Sequence, residues 1–233
     1  MTDYCHTIIN ELDDRISELT YEQNNSLVSY ENAIVLVLQK IEEVKKHIQE
    51  KGFKDAEEEI LFFKQLKPQL VSKLIFFNSI YKIETKRPRG GDKIIRKYLN
   101  IELSKIKRYF DANLEFYKYY RTNSTHLDNK YFVRGKHDIK LSLDTYYFEA
   151  DHNFTTSHDY KVAKIIANDL IQVYLEDQLN NNSQKRIWEN PPLNWTGSKT
   201  SLIELIYSLH SQGSIDNGNA DIKIIAKTFE NMF

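Results

Sequence analysis

Cysteine is nearly absent from this 233-residue chain: Cys5 stands alone, so no internal disulfide framework can form and a reducing compartment is expected. Glycine (7) and proline (4) are scarce, which removes most of the usual interruptions to helices. No apolar run approaches the roughly 18 residues that cross a bilayer. The longest, around Ala33–Leu38 and Leu74–Phe77, are far shorter. The opening Met1-Thr2-Asp3-Tyr4-Cys5-His6 has neither a basic n-region nor an apolar h-region, so no secretory signal is expected. These absences point to a soluble, cytoplasmic, globular protein with no membrane partner.

Net charge is absent only in the sum. The chain carries 32 basic and 33 acidic side chains, a formal net charge of −1. Residues 1–60 hold 6 basic and 14 acidic side chains, residues 61–140 hold 19 and 7, and residues 141–233 hold 7 and 12. A basic middle between acidic ends could meet an anionic polymer, or could answer those ends through internal salt bridges.

Signatures of catalysis are missing as well. Neither Gly-x-x-x-x-Gly-Lys nor Gly-x-Gly-x-x-Gly occurs, and Gly90-Gly91 ahead of Lys93 reads as a turn. There is no Gly-x-Ser-x-Gly elbow, and Cys5 lies near a terminus expected to fray. Glu149 and His152 form one Glu-x-x-His, where a di-iron bundle needs two such pairs and two further Glu. Asp151, His152, His158 and Asp159 are residue types that bind zinc or manganese, but capping and surface hydrogen bonding is their expected role. No enzyme activity, catalytic residue, metal or cofactor is expected.

What is present is helical periodicity. Leu27, Tyr30, Ile34, Val37, Ile41, Val44 and Ile48 recur at steps of three and four and share one stripe. The stripe belongs to a packed bundle or, less simply, to a dimer surface. Gly52 closes this helix, and Asp55 is the expected N-cap of the next, with Glu57, Glu58 and Glu59 in its first turn. Pro68 should kink or break that helix. The stretch Thr85–Asp92 is a loop, and a long helix should run from Lys93 to Arg121. A short helix is expected at Asp138–Phe148 and another from an N-cap at Ser157 to about Leu179, ending in Asn180-Asn181-Asn182-Ser183. Gln184–Gly197, with Pro191-Pro192, reads as a linker or long loop. The aromatic cluster Phe116, Tyr117, Tyr119 and Tyr120 reads as core rather than as a platform for stacked bases.

Two regions could touch nucleic acid. The run Lys86, Arg87, Arg89, Lys93, Arg96, Lys97, Lys105, Lys107 and Arg108 is opposed only by Asp92 and Glu102. Lys93, Lys97 and Arg108 can share a helix face, so phosphate contact competes evenly with a solvated face. At the other end, Leu202, Leu205, Ile206 and Leu209 stripe a helix at Ser198–Ser211. Ile222, Ile225, Ala226, Phe229 and Met232 stripe a second at Ala220–Met232. The pair could be a helix-turn-helix or a plain helical hairpin, with a connection longer than the usual three or four residues.

The strings Glu84–Pro88 (ETKRP), Asn113–Tyr117 (NLEFY), Asp128–Gly135 (DNKYFVRG), Thr156–Ile165 (TSHDYKVAKI), Trp195–Lys199 (WTGSK), Leu202–Leu209 (LIELIYSL) and Asn217–Asp221 (NGNAD) resemble the RteC family, in the same order, from about residue 55 onward. RteC proteins are transcriptional regulators of Bacteroides-type conjugative transposons that carry tetracycline resistance. The resemblance implies an all-α protein: an N-terminal helical bundle over 1–150 and a winged-helix-like DNA-binding domain over 151–233. It also implies a double-stranded DNA partner upstream of excision genes, whose transcription it activates. An inverted-repeat operator would require a homodimer.

Longer relatives continue past the equivalent of Phe233 into a basic segment that could supply a further helix and wing. With this chain complete, Ala220–Met232 is the recognition helix; with it truncated, the groove-reading element lies outside it. Helix geometry then nominates Lys199 and Lys227 for phosphates, and Asn219 and Lys223 for base edges or phosphates. Lys86, Arg87, Arg89, Lys93, Arg96 and Lys97 form a candidate second set of phosphate contacts. The alternative is a helical protein–protein interaction module without direct DNA contact.

Overall fold

Ser26 and Gly52 bracket the clearest helix of the sequence. Ser26 Oγ accepts from Ser29 N at 3.3 Å, and Gly52, at φ 65°, directs its N–H to Ile48 O at 2.8 Å. The computed structural model describes residues 1–22, 26–141, 146–189 and 194–232, and among them every regular element is a helix. In chain order these are α1 (Thr2–Glu22), α2 (Leu27–Lys51), α3 (Ala56–Leu61), α4 (Lys67–Thr85), α5 (Asp92–Ala112) and α6 (Leu114–Arg121). They continue with α7 (Asp128–Tyr131), α8 (Tyr146–Glu149), α9 (Asp159–Glu189), α10 (Lys199–Ser211) and α11 (Ile222–Met232). No described helix is long and apolar enough to cross a membrane. The described chain divides into two compact units, 1–176 and 177–233, later than the 150/151 division read from the sequence.

In the first unit the stripe of α2 turns inward. Tyr30, Ala33, Val37, Val44 and Ile48 are buried, and α2 packs along α4 and against α1. Of the stripe, Tyr30, Val37, Val44 and Ile48 are thus core, Ile34 and Ile41 are half-buried, and Leu27 is exposed. Cys5, expected at a frayed end, is fully buried in α1 beside Ile8, Ile9 and Leu12, which join Phe62, Phe63, Leu66 and Leu70 in one core.

Asp55 caps α3 as expected, its Oδ1 accepting from Glu58 N at 2.8 Å. Pro68, however, does not break the rod. Phe62–Leu66 form a π-turn in which Lys67 N–H reaches Phe62 O, five residues back, and Pro68 sits in the first turn of α4. A missing N–H costs little there, and the wider turn relieves the clash that a proline ring makes in a continuous α-register. Lys64 and Lys67 both point into the interior from this turn and are buried. Lys64 Nζ donates to both Asp128 oxygens at 2.8 and 2.9 Å and to Ser124 O at 2.9 Å. Lys67 Nζ is held by Phe154 O and Asp159 Oδ2.

Other expectations need correction. The helix read as Lys93–Arg121 is interrupted at Asn113, whose φ of −119° and ψ of 26° leave the helical region. Asp138 starts a turn rather than a helix, with Leu141 N on Asp138 O at 3.0 Å, and among the described residues of the expected Asp138–Phe148 helix only 146–148, in α8, are helical. Residues 142–145 of that stretch lie outside the described residues. Ser157 does not cap α9: its hydroxyl donates to Lys130 O at 3.0 Å and meets His158 Nδ1 at 2.9 Å. Nor does the helix stop at the asparagine run; it continues to Glu189, because asparagine lowers helix propensity only slightly and no glycine or proline intervenes. Of the linker read at 184–197, residues 184–189 are therefore helical, and 190–193 lie outside the described residues.

In the second unit α10 and α11 pack against each other, and Ile206 and Ile225 are buried. Ser198 caps α10, its Oγ accepting from Ser201 N at 3.1 Å. Leu205, expected on the inner stripe, is instead 37% exposed, so the inner face runs through Leu202, Ile206 and Leu209.

Candidate nucleic-acid interface

Helix α5 is amphipathic in charge as well as in hydropathy. Leu99 and Ile106, two turns apart, are its buried residues, and Tyr98 ties the inner side to α4 by donating to Ile83 O at 2.9 Å. At 100° per residue, Lys97 and Arg108 fall on the opposite side, Lys93 beside them and Lys107 on the adjoining flank, and all four are exposed. None of the four makes an ion pair among the described residues; Arg108 Nε donates to Ser104 O at 3.3 Å. The basic middle of the chain therefore does not discharge itself on the acidic first 60 residues through this row. The cross-block pairs that do form lie elsewhere: Lys73 to Asp13, and Arg134 to Glu59 at 2.6 Å.

The six residues nominated as a second phosphate set separate by environment. Lys86, Arg89, Lys93 and Lys97 are exposed, whereas Arg87 and Arg96 are half-buried. Arg87 Nη2 lies 2.7 Å from Glu84 Oε1, which also accepts from Tyr174 OH at 2.8 Å. Glu84 thus ties α4 to α9, with Arg87 paired to it. Lys107 and Arg108, read in the basic run but left out of the nominated set, extend the exposed row beyond Lys97.

The other four nominated residues lie on the α10–α11 hairpin. Lys199 opens α10, Asn219 precedes α11, and Lys223 and Lys227 sit one turn apart on α11; all four are exposed. Asp221 caps α11, its Oδ1 accepting from Lys223 N at 2.7 Å, and the buried Ile225 fixes the lysine row outward. The connection from Gln212 to Asp221 contains a 3₁₀ turn at Asp216–Gly218 and a positive φ of 64° at Gly213. Among the described residues the hairpin carries no strand.

The candidate metal ligands are committed to other partners. Asp151 Oδ2 pairs with Lys45 at 2.9 Å, Asp159 with Lys67, and His152 packs edge-on against Tyr147 at 4.9 Å between ring centroids. His158 is buried against Tyr131 and Phe116, at 3.9 and 4.8 Å between centroids. Burial, and after it the nearby Lys161 charge, push its imidazole down to about 3, so it stays neutral. Phe116 and Tyr119 are buried too, as expected of core aromatics.

A family model described as RteC protein matches residues 61–233, a stretch that takes in both α5 and the C-terminal hairpin. No curated protein matches the chain, and no solved structure does.

Proposed function

The chain belongs to the RteC family, and from that premise we propose that it is a DNA-binding transcriptional regulator without enzymatic activity, activating excision and transfer genes of a conjugative transposon. The observation that carries this reading is the exposed row of Lys93, Lys97, Lys107 and Arg108, unneutralised by any described ion pair. Such a row suits the phosphate backbone, whose neutralisation releases counterions and supplies much of the affinity of DNA-binding proteins.

The C-terminal hairpin takes the reading role. Between Asn194 and Met232 it has three lysines against four carboxylates, so it supplies little non-specific attraction. Its outward row of Asn219, Lys223 and Lys227, on a short helix braced by α10, has the residue types that contact base edges and flanking phosphates. We read it as a helix-turn-helix-like element in a winged-helix-like domain. An inverted-repeat operator calls for two copies of the chain.

Fluorescence anisotropy of the full chain tests the reading, with an inverted-repeat duplex from an excision promoter beside a scrambled duplex. The reading requires tighter binding to the inverted repeat. No binding to either duplex at low salt overturns it and favours a helical interaction module.

A further inference from the structure

Asn168, on α9, is only 6% exposed, yet its amide makes no hydrogen bond among the described residues. The amide is open to the cleft that it lines, where a ligand can reach it. Asn168 lines a pocket of about 280 Å³ between α4, α5 and the first half of α9, its lining residues all within the first unit. Four lysines border the same pocket, Lys82, Lys86, Lys105 and Lys164, against one carboxylate, Glu102. Glu102 is already taken by Lys105 at 2.6 Å. Lys82 and Lys86 make no ion pair among the described residues, so the pocket holds uncompensated positive charge.

The rest of the wall is flat or apolar. Tyr98 and Tyr109 line it, each held in place through its hydroxyl: Tyr98 donates to Ile83 O at 2.9 Å and Tyr109 to Lys161 O at 3.4 Å. Ile83, Ile106, Ile171 and Leu175 complete the apolar part. Lysine ammonium groups suit a compact, multiply charged anion. A primary amide can donate and accept at once, which suits a planar polar edge.

We propose that this pocket binds a small organic phosphate of mononucleotide size, its phosphate at Lys82 and Lys86, its planar body between the tyrosines, and its polar edge on Asn168. Isothermal titration of the full chain, with ADP and with pyrophosphate as probes, tests this. ADP should bind, and Lys82→Gln should weaken both probes. Asn168→Leu should weaken ADP about tenfold, the loss of about one good hydrogen bond, and leave pyrophosphate within about twofold. Lys93→Gln with Lys97→Gln, on the outer face of α5, should change neither. If Asn168→Leu fails to fold, Asn168→Asp keeps the shape and should weaken both probes by adding a negative charge. Competition with ADP by a 5′-phosphorylated duplex would assign the phosphate to nucleic acid; no competition would assign it to a free metabolite. Absence of binding by either probe at about 5 mM, or binding lost in the Lys93/Lys97 variant instead, overturns the proposal.

Discussion

Lys64 and Asp128, 64 residues apart in the chain, meet in a two-oxygen contact at 2.8 and 2.9 Å, with side chains only 10% and 11% exposed. Tyr119 adds its hydroxyl to the same carboxylate at 2.7 Å. Burial first, and this carboxylate second, hold the Tyr119 proton on well beyond the ordinary tyrosine range. The contact fastens the π-turn ahead of α4 to α7. Removing one partner leaves a buried charge uncompensated, so Lys64→Met should cost about 3–5 kcal/mol in urea unfolding of the full chain. Lys64→Met combined with Asp128→Asn should recover at least half of that loss. Additive losses in the double variant would mean that the two side chains do not act as a pair.

His158 gives a pH signature. Its folded value is depressed to about 3 from the ordinary 6.5, so below pH 6.5 the unfolded chain binds a proton that the folded chain refuses. Stability is therefore intact above pH 6.5 and falls as the pH drops, at about 1.4 kcal/mol per pH unit. Between pH 6.5 and about 5.5 most carboxylates stay ionised in both states, so histidine protonation dominates the change. Urea midpoints measured across that window should slope, and His158→Gln should flatten the slope whatever it does to the absolute stability.

Cys5 should behave as an interior thiol. Burial pushes it up to about 11 and removes it from solvent, so it should react with a thiol reagent at pH 8 only through unfolding. Rapid labelling of the native chain would place the amino end of α1 outside the core.

Much of this architecture was legible because local signals agreed. Gly52 and Asp55 mark helix ends where capping chemistry put them. The register around Pro68 was not legible, because a proline in a helical pattern fits a kink, a break or a π-turn equally well. The Lys64 and Lys67 pairs, closed over 64 and 92 positions, depend on tertiary contacts that no local window contains. The strings around Asp128 and Thr156 that carry the family resemblance proved to be the partners of those lysines, and so serve the fold. The exposed lysines of α5 were legible as a charged run, but their freedom from the acidic block was not. Asn168 carried no signal at all, since one polar residue in an apolar helix reads as surface.

The most direct measurement is the salt dependence of duplex binding by the full chain and two variants. Each phosphate contact contributes about 0.9 to the slope of log affinity against log salt. Lys93→Gln with Lys97→Gln and Lys107→Gln should lower that slope by about 2–3, while preserving the preference for an inverted repeat over a scrambled duplex. Lys223→Ala with Lys227→Ala should instead collapse the preference. An unchanged slope and affinity in the triple variant would contradict the assignment of α5 to the DNA backbone.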